Sequence, residues 1–190
     1  MSKNIMIVGV GGQGTLLASR ILGNVAIKMG YDVKVSEVHG MSQRGGSVVT
    51  YVKYGEKVYS PIIDKGEADI ILAFERLEAI RALPFIKKDG KIILNDRAIA
   101  PMPVITGAVT YPQGIVDDLS CKVDVTSVDA LELSLSLGSQ KAVNVVLIGV
   151  LAKSMDIDKQ VWLDVINSTV PKKFLDLNLK AFELGYNFKN

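Results

Sequence analysis

The chain of 190 residues holds a single cysteine, Cys121. One thiol makes no internal disulfide and cannot carry an iron–sulfur cluster or a structural zinc, so a reducing, cytoplasmic setting is expected. Histidine is as scarce: His39 stands alone, and with no second histidine and a single cysteine no metal site is expected. Charge of one sign is lacking too. Lys and Arg number 22 against 20 Asp and Glu, a net charge of +2, so no basic field points to nucleic acid. Aromatics are only 6%, which leaves no stacking platform for bases. Long apolar runs are absent: residues 142–152 are interrupted by Asn144 and Gly149 and are too short for a bilayer, so no membrane association is expected. The first residues run straight into a strand without a signal-peptide pattern. No P-loop, G-x-S-x-G elbow or paired-carboxylate constellation occurs. Apolar residues make up 48% of the chain, enough for a large core with surface left over for a partner.

The most informative stretch is residues 5–14, IMIVGVGGQG. Residues 5–8 read as a buried strand, and Ala18, Ile21, Leu22, Val25, Ala26 and Met29 fall on one helical face behind it. Strand, glycine turn and helix follow one another, and the free N–H groups at such a helix start suit an anion. Gly9, Gly11 and Gly14 have the spacing of a dinucleotide fingerprint, with Glu37 about where a ribose-binding acid would stand. The same turn also serves simply to pack helix against sheet.

Residues 31–36 alternate as a second strand, and residues 37–46, EVHGMSQRGG, show no periodicity and read as a working loop. Residues 47–54 form a third strand, which a turn at Gly55 and Glu56 would fold into a hairpin with residues 57–60. Residues 68–74 are a buried strand followed by a helix over 75–83. A turn at residues 88–90 leads to a strand over 91–95. Between the prolines of 96–121, residues 104–105 and 107–110 read as weak strands, and 122–126 as the last strand. Helical spacing then takes over at 128–137, 140–154, 158–169 and 172–186, with Ser139 a cap and Pro171 in a first turn. The expected fold is a single α/β domain over 1–190, with an α/β core over 1–126 and a mainly helical 127–190 packed on it. Its architecture is a three-layer α/β/α sandwich around a mostly parallel, mixed sheet, with a Rossmann-like glycine turn after the first strand and a helical C-terminal tail.

In an open α/β sheet, ligands bind beyond the carboxyl ends of the strands, so the loops after the first two strands should meet there. In the second loop Arg44, beside Gln43 and the pair Gly45 and Gly46, has the make-up of an anion clamp, with Ser42 and Ser47 adding hydroxyls. An ordinary glycine-rich connection with a surface arginine is the plainer reading. His39 is either structural or meets a ligand. Asn144 is expected to be a core amide satisfied by backbone. Glu75 either faces the cleft or caps a helix.

GVGGQG at 9–14 together with EVHGMSQRGGSV at 37–48 resembles the gamma component of the 2-oxoacid:ferredoxin oxidoreductases. The likeness continues through ADIILAFERLEAIRAL at 68–83 and KAVNVVLIGVLAK at 141–153, and is nearest to the small subunit of the indolepyruvate type. Many pyruvate-type gamma components carry an aromatic-Gly-Pro-acid run before Arg-Gly-Gly; HGMSQ stands there instead. The resemblance implies oxidative decarboxylation of a 2-oxo acid to an acyl-coenzyme A by a complex. The large partner subunit is expected to hold thiamine diphosphate, magnesium and 4Fe–4S clusters, with ferredoxin taking the electrons. This chain lacks the GDG…NN run that would hold diphosphate and magnesium. Coenzyme A is placed by the resemblance at Gly9, Gly11, Gly12, Gln13 and Gly14, and at Glu37, His39, Gly40, Ser42, Gln43, Arg44, Gly45, Gly46 and Ser47. An independent NAD- or FAD-dependent dehydrogenase is the alternative.

Overall fold

A computed structural model describes residues 2–40 and 45–189. The elements follow in the order β1 (Lys3–Val10), α1 (Thr15–Lys28), β2 (Asp32–His39), β3 (Ser47–Gly55), β4 (Ala68–Ala73), α2 (Arg76–Ala82), β5 (Ile86–Asn95), α3 (Met102–Ile105), α4 (Ile115–Ser120), β6 (Asp124–Val128), α5 (Ala130–Leu135), α6 (Val143–Lys153), α7 (Lys159–Thr169) and α8 (Leu175–Tyr186). The strands form one sheet in the order β2-β3-β1-β4-β5-β6. β1, β4, β5 and β6 pair in parallel, while β3 lies antiparallel to both β1 and β2. The expected mostly parallel, mixed α/β sheet is borne out.

Successive residues of β1 serve opposite layers, as a pleated strand requires. Ile5 and Ile7 join Ile70, Leu72 and Ile93 against α1, α6, α7 and α8. Met6 and Val8 join Ile71, Ile92 and Leu94 against α2 and α4. The central strands are apolar on both faces because both are covered, which is why residues 5–8 and 68–74 read as unbroken apolar runs. Among the described residues no helix is long and apolar enough to cross a membrane.

The local readings fail where sheet pairing overrides them. Residues 57–60 do not return as a hairpin, because both edges of β3 are already taken by β2 and β1. They pass instead beneath the start of β2, where Val58 N donates to the Asp32 carboxylate at 2.9 Å. Lys34 first, and then this N–H, hold the Asp32 carboxyl below its usual value. β2 continues through Glu37 to His39, since each finds a partner across β3, so the loop begins only at Gly40. The turn at residues 88–90 lies inside β5: the register jumps from Ala68–Ile86 to Ile70–Lys91, and Asp89 sits at φ 63°. Residues 104–105 are helical rather than extended, with Pro103 in the first turn and Ile105 N bonded to Pro101 O at 3.0 Å. Residues 107–110 join no strand. The last strand lies two residues further on than its pattern suggests.

The helical half follows its periodicity closely. Ser139 Oγ accepts from Lys141 N at 3.2 Å and caps the turn leading into α6, as its position predicts. Pro171 stands just ahead of the turn that opens α8. α6 is buried from Asn144 to Ala152, as expected of a helix apolar on all sides. It crosses α8 at backbone contact. A Cβ on Gly149 would stand 2.3 Å from Phe182 O, and one on Gly185 would stand 1.9 Å from Val146 O. In an exposed helix Gly→Ala gains up to about 1 kcal/mol from propensity. At Gly185 the sign is expected to reverse: Gly185→Ala should lose about 1–3 kcal/mol through overpacking against backbone that cannot yield. Thermal denaturation checks this, at roughly 2–4 °C per kcal/mol for a chain of this size. A variant as stable as the parent would deny the close crossing.

Candidate functional site

β1 and β4 are parallel neighbours, but their helices leave in opposite directions, α1 to one face and α2 to the other. A crevice opens at the carboxyl ends of strands where connections diverge in this way, and the glycine turn lies in it. Gly9 is the penultimate residue of β1, where a Cβ would stand 2.9 Å from Phe74 Cβ and 2.8 Å from Gln13 Oε1. Gly14 has φ 81°, and a Cβ there would strike Asn144 Nδ2 at 2.6 Å. Asn144 is the expected core amide: Nδ2 donates to Gly14 O at 3.3 Å and Oδ1 accepts from Val145 N at 3.0 Å.

Gln13 is committed to the scaffold. Its Oε1 accepts from Val10 N at 2.7 Å, and its Nε2 donates to Phe74 O at 2.9 Å across the crevice. The two glycine segments meet as expected: Gly11 N donates to Gly46 O at 2.8 Å and Gly45 N to Gly11 O at 3.4 Å. Beside them, on the α1 face, Gly11, Gly12, Gly14, Thr15, Leu16, Glu37, His39 and Val48 line a cleft of about 430 Å³. Glu37 Oε2 accepts from Thr50 Oγ1 at 3.4 Å, and His39 is exposed with Nδ1 3.1 Å from Gly40 O.

Not every candidate reaches this cleft. Gly9 is sealed inside the turn, and Gly40 is exposed beyond it. Ser47 Oγ donates to Glu78 Oε2 at 2.5 Å, on the face covered by α2. Ser42, Gln43 and Arg44 lie outside the described residues. The dinucleotide alternative finds no support in the topology. β3 separates β2 from β1, so Glu37 stands two strand spacings, about 10 Å, from the glycine strand rather than one. Among the described residues no three His, Cys, Asp or Glu side chains group as metal ligands.

Glu75 takes the capping role. It is 1% exposed, and its Oε2 accepts from Glu78 N at 3.0 Å at the start of α2. Its Oε1 accepts from Ile99 N at 3.0 Å and from the Tyr111 hydroxyl, so one buried carboxylate fastens both ends of the excursion after β5. Burial first, then Glu75, push the Tyr111 hydroxyl up, which keeps its proton in place as the donor. Asn95 is a residue that sequence reasoning missed. It is fully buried at the end of β5, with Nδ2 on Phe74 O at 3.1 Å and Oδ1 taking Ala130 N at 3.1 Å. A polar residue closing an apolar strand was its only local signal.

Comparison with known proteins agrees with this geometry. The family model described as pyruvate ferredoxin/flavodoxin oxidoreductase matches residues 4–188. The chain is 43% identical over 190 residues to the indolepyruvate oxidoreductase subunit IorB of Thermococcus kodakarensis, covering 96% of this chain and 93% of the relative. It is 42% identical to the same subunit of Archaeoglobus fulgidus, covering 98% and 95%. The keto/oxoacid ferredoxin oxidoreductase gamma subunit of Geobacter sulfurreducens shares the fold, with a TM-score of 0.72 at 22% identity over 97% of this chain and 96% of that one. The resemblance carried by the two glycine motifs is thus borne out, and the chain belongs to the pyruvate ferredoxin/flavodoxin oxidoreductase family.

Proposed function

We propose that this chain is the small subunit of an indolepyruvate-type 2-oxoacid:ferredoxin oxidoreductase and lends its glycine-turn cleft to coenzyme A. The observation that carries the reading is the 43% identity to an indolepyruvate oxidoreductase subunit along 96% of the chain. The composition fits a dependent subunit. With one thiol and no described metal-ligand group, the chain supplies no redox centre, and the decarboxylation and electron transfer belong to cofactors of a large thiamine diphosphate- and iron–sulfur-binding partner. Ferredoxin is reached through that complex.

The part left to this chain is binding. Gly11, Gly12 and Gly14 let ligand and backbone approach closely, and the N-terminus of α1 favours negative charge there. Glu37 and His39 on the far wall offer hydrogen bonds to hydroxyl or amide groups of an extended ligand. Holding the acyl acceptor beside a reaction centre in the partner is catalysis by positioning.

Two experiments test this. Coexpression with a thiamine- and cluster-binding partner should give a stable complex that oxidises an aryl 2-oxo acid, dependent on coenzyme A, with reduction of ferredoxin or a viologen dye. The isolated chain should be inactive; turnover by the chain alone with a soluble nicotinamide would overturn the assignment. Within the complex, Leu16→Trp should crowd the cleft from the exposed first turn of α1. The Michaelis constant for coenzyme A should rise about tenfold with assembly unchanged. Unchanged kinetics would remove this cleft from the acceptor site.

A further inference from the structure

Residues 98–116, the excursion between β5 and α4, contain no charged side chain, although 22% of the chain is charged. They also hold three of its six prolines: Pro101, Pro103 and Pro112. An uncharged run of this length is ordinarily buried, yet this one stands in solvent. Met102 is 66% exposed, Ile105 65% and Val109 56%. Other exposed apolar side chains, such as Ile27 and Val35, are interspersed with charge: Arg20 and Lys28 on α1, Lys34 and Glu37 on β2. Those faces are solvated; the excursion presents a continuous apolar surface with nothing polar to hold water on it.

This surface is ordered before anything covers it. Ile105 N and Val104 N donate to Pro101 O, Thr106 N donates to Met102 O, and Ala108 N and Val109 N donate to Pro103 O. The prolines fix their own φ and leave fewer conformations to lose on binding. Both ends are tied to the buried Glu75 carboxylate, through Ile99 N and the Tyr111 hydroxyl, and Ile115 is sunk in the core beyond. Charge resumes only at the feet, with the Arg76–Asp96 pair and Arg97 at one and Asp117 and Asp118 at the other. A charge-free apolar centre with a charged margin is the anatomy of a protein–protein interface.

Its place in the fold selects the occupant. The excursion rises from the carboxyl end of β5, the same edge of the sheet that carries the glycine turn. Its foot, Arg97 and Ile99, walls a second cleft of about 430 Å³ on the far side of that turn, facing Gly12–Gly14, Lys141 and Asn144. A ligand held at this edge has to reach a reaction centre in another polypeptide, so the polypeptide that covers the edge is the one bearing that centre. A second copy of this chain would set one carboxyl edge against another and bring no reaction centre to either. We propose that residues 101–112 are the docking platform for the large thiamine diphosphate- and iron–sulfur-binding subunit, with Met102, Ile105 and Val109 entering an apolar, uncharged face of that partner. The assignment rests on the subunit reading given above and names the surface through which the partner is met.

The test uses the full chain and the coexpressed thiamine- and cluster-binding partner. Ile105→Lys with Val109→Lys places two charges on the platform at exposed positions. The isolated variant should keep the parental melting temperature, while the dissociation constant of the complex rises at least about hundredfold. In the parental complex, hydrogen exchange over residues 104–111 should slow at least about tenfold relative to the chain alone. Ile27→Lys with Tyr59→Lys, exposed apolar positions at the opposite edge of the sheet, should assemble like the parent. Undiminished assembly of the platform variant, unchanged exchange over 104–111, or the same loss in both double variants would overturn the assignment. So would a parental chain that dimerises alone and becomes monomeric in the platform variant, since the occupant would then be a second copy. A parental chain that assembles with no such partner defeats the subunit reading and this proposal together, whereas a complex that tolerates both lysines defeats the platform alone.

Discussion

The carbonyl of Phe74 receives two side-chain amides, one from Gln13 at 2.9 Å and one from Asn95 at 3.1 Å. Through these the glycine turn, the end of β4, the end of β5 and, by Asn95 Oδ1, the start of α5 are fixed relative to one another. The carbonyl lies where the strands run out and no ladder partner remains, so without these amides it would be buried unpaired, at a cost of about 1–3 kcal/mol. The geometry of the cleft depends on this junction. It sets how far the turn stands from the neighbouring strand, and with it the separation of the two compartments on either side.

A second constraint comes from β3. By lying antiparallel between β1 and β2, it fills the position that the second strand takes in a dinucleotide fold. The strand–glycine–helix start is the same in both designs, but the acid at the end of the second strand is displaced by one strand spacing. The gain is that the loop before β3 is delivered to the turn itself. Gly46 meets Gly11 through backbone, so two pliant segments form one rim. The same glycine pattern thus stands here in a sheet order other than that of a dinucleotide fold.

The division of labour follows from composition. The chain places its polar investment in positioning: Glu75, Gln13, Asn95 and Asn144 all bond backbone rather than each other. These bonds fix the carboxyl edge, while the charged side chains beside it, Glu37 on one side and Arg97 with Lys141 on the other, are exposed.

The local readings that held are those where one segment contains its own physics. The first strand, glycine turn and helix, and the four C-terminal helical stretches, were legible because apolar period and caps such as Ser139 are properties of neighbouring residues. The meeting of the two glycine loops was legible from the rule that ligand loops gather at strand carboxyl ends. What the sequence could not decide was which edges were already occupied. That is why residues 57–60 are not a strand and why Glu37 belongs to one. Asn95, Arg97 and Lys141 carried no shared local signal, because they come from the end of one strand, the excursion after it and the start of a distant helix. Only the stacking of those elements over Phe74 and Gly14 brings them to one cleft, since contact between remote segments is set by packing and not by spacing along the chain.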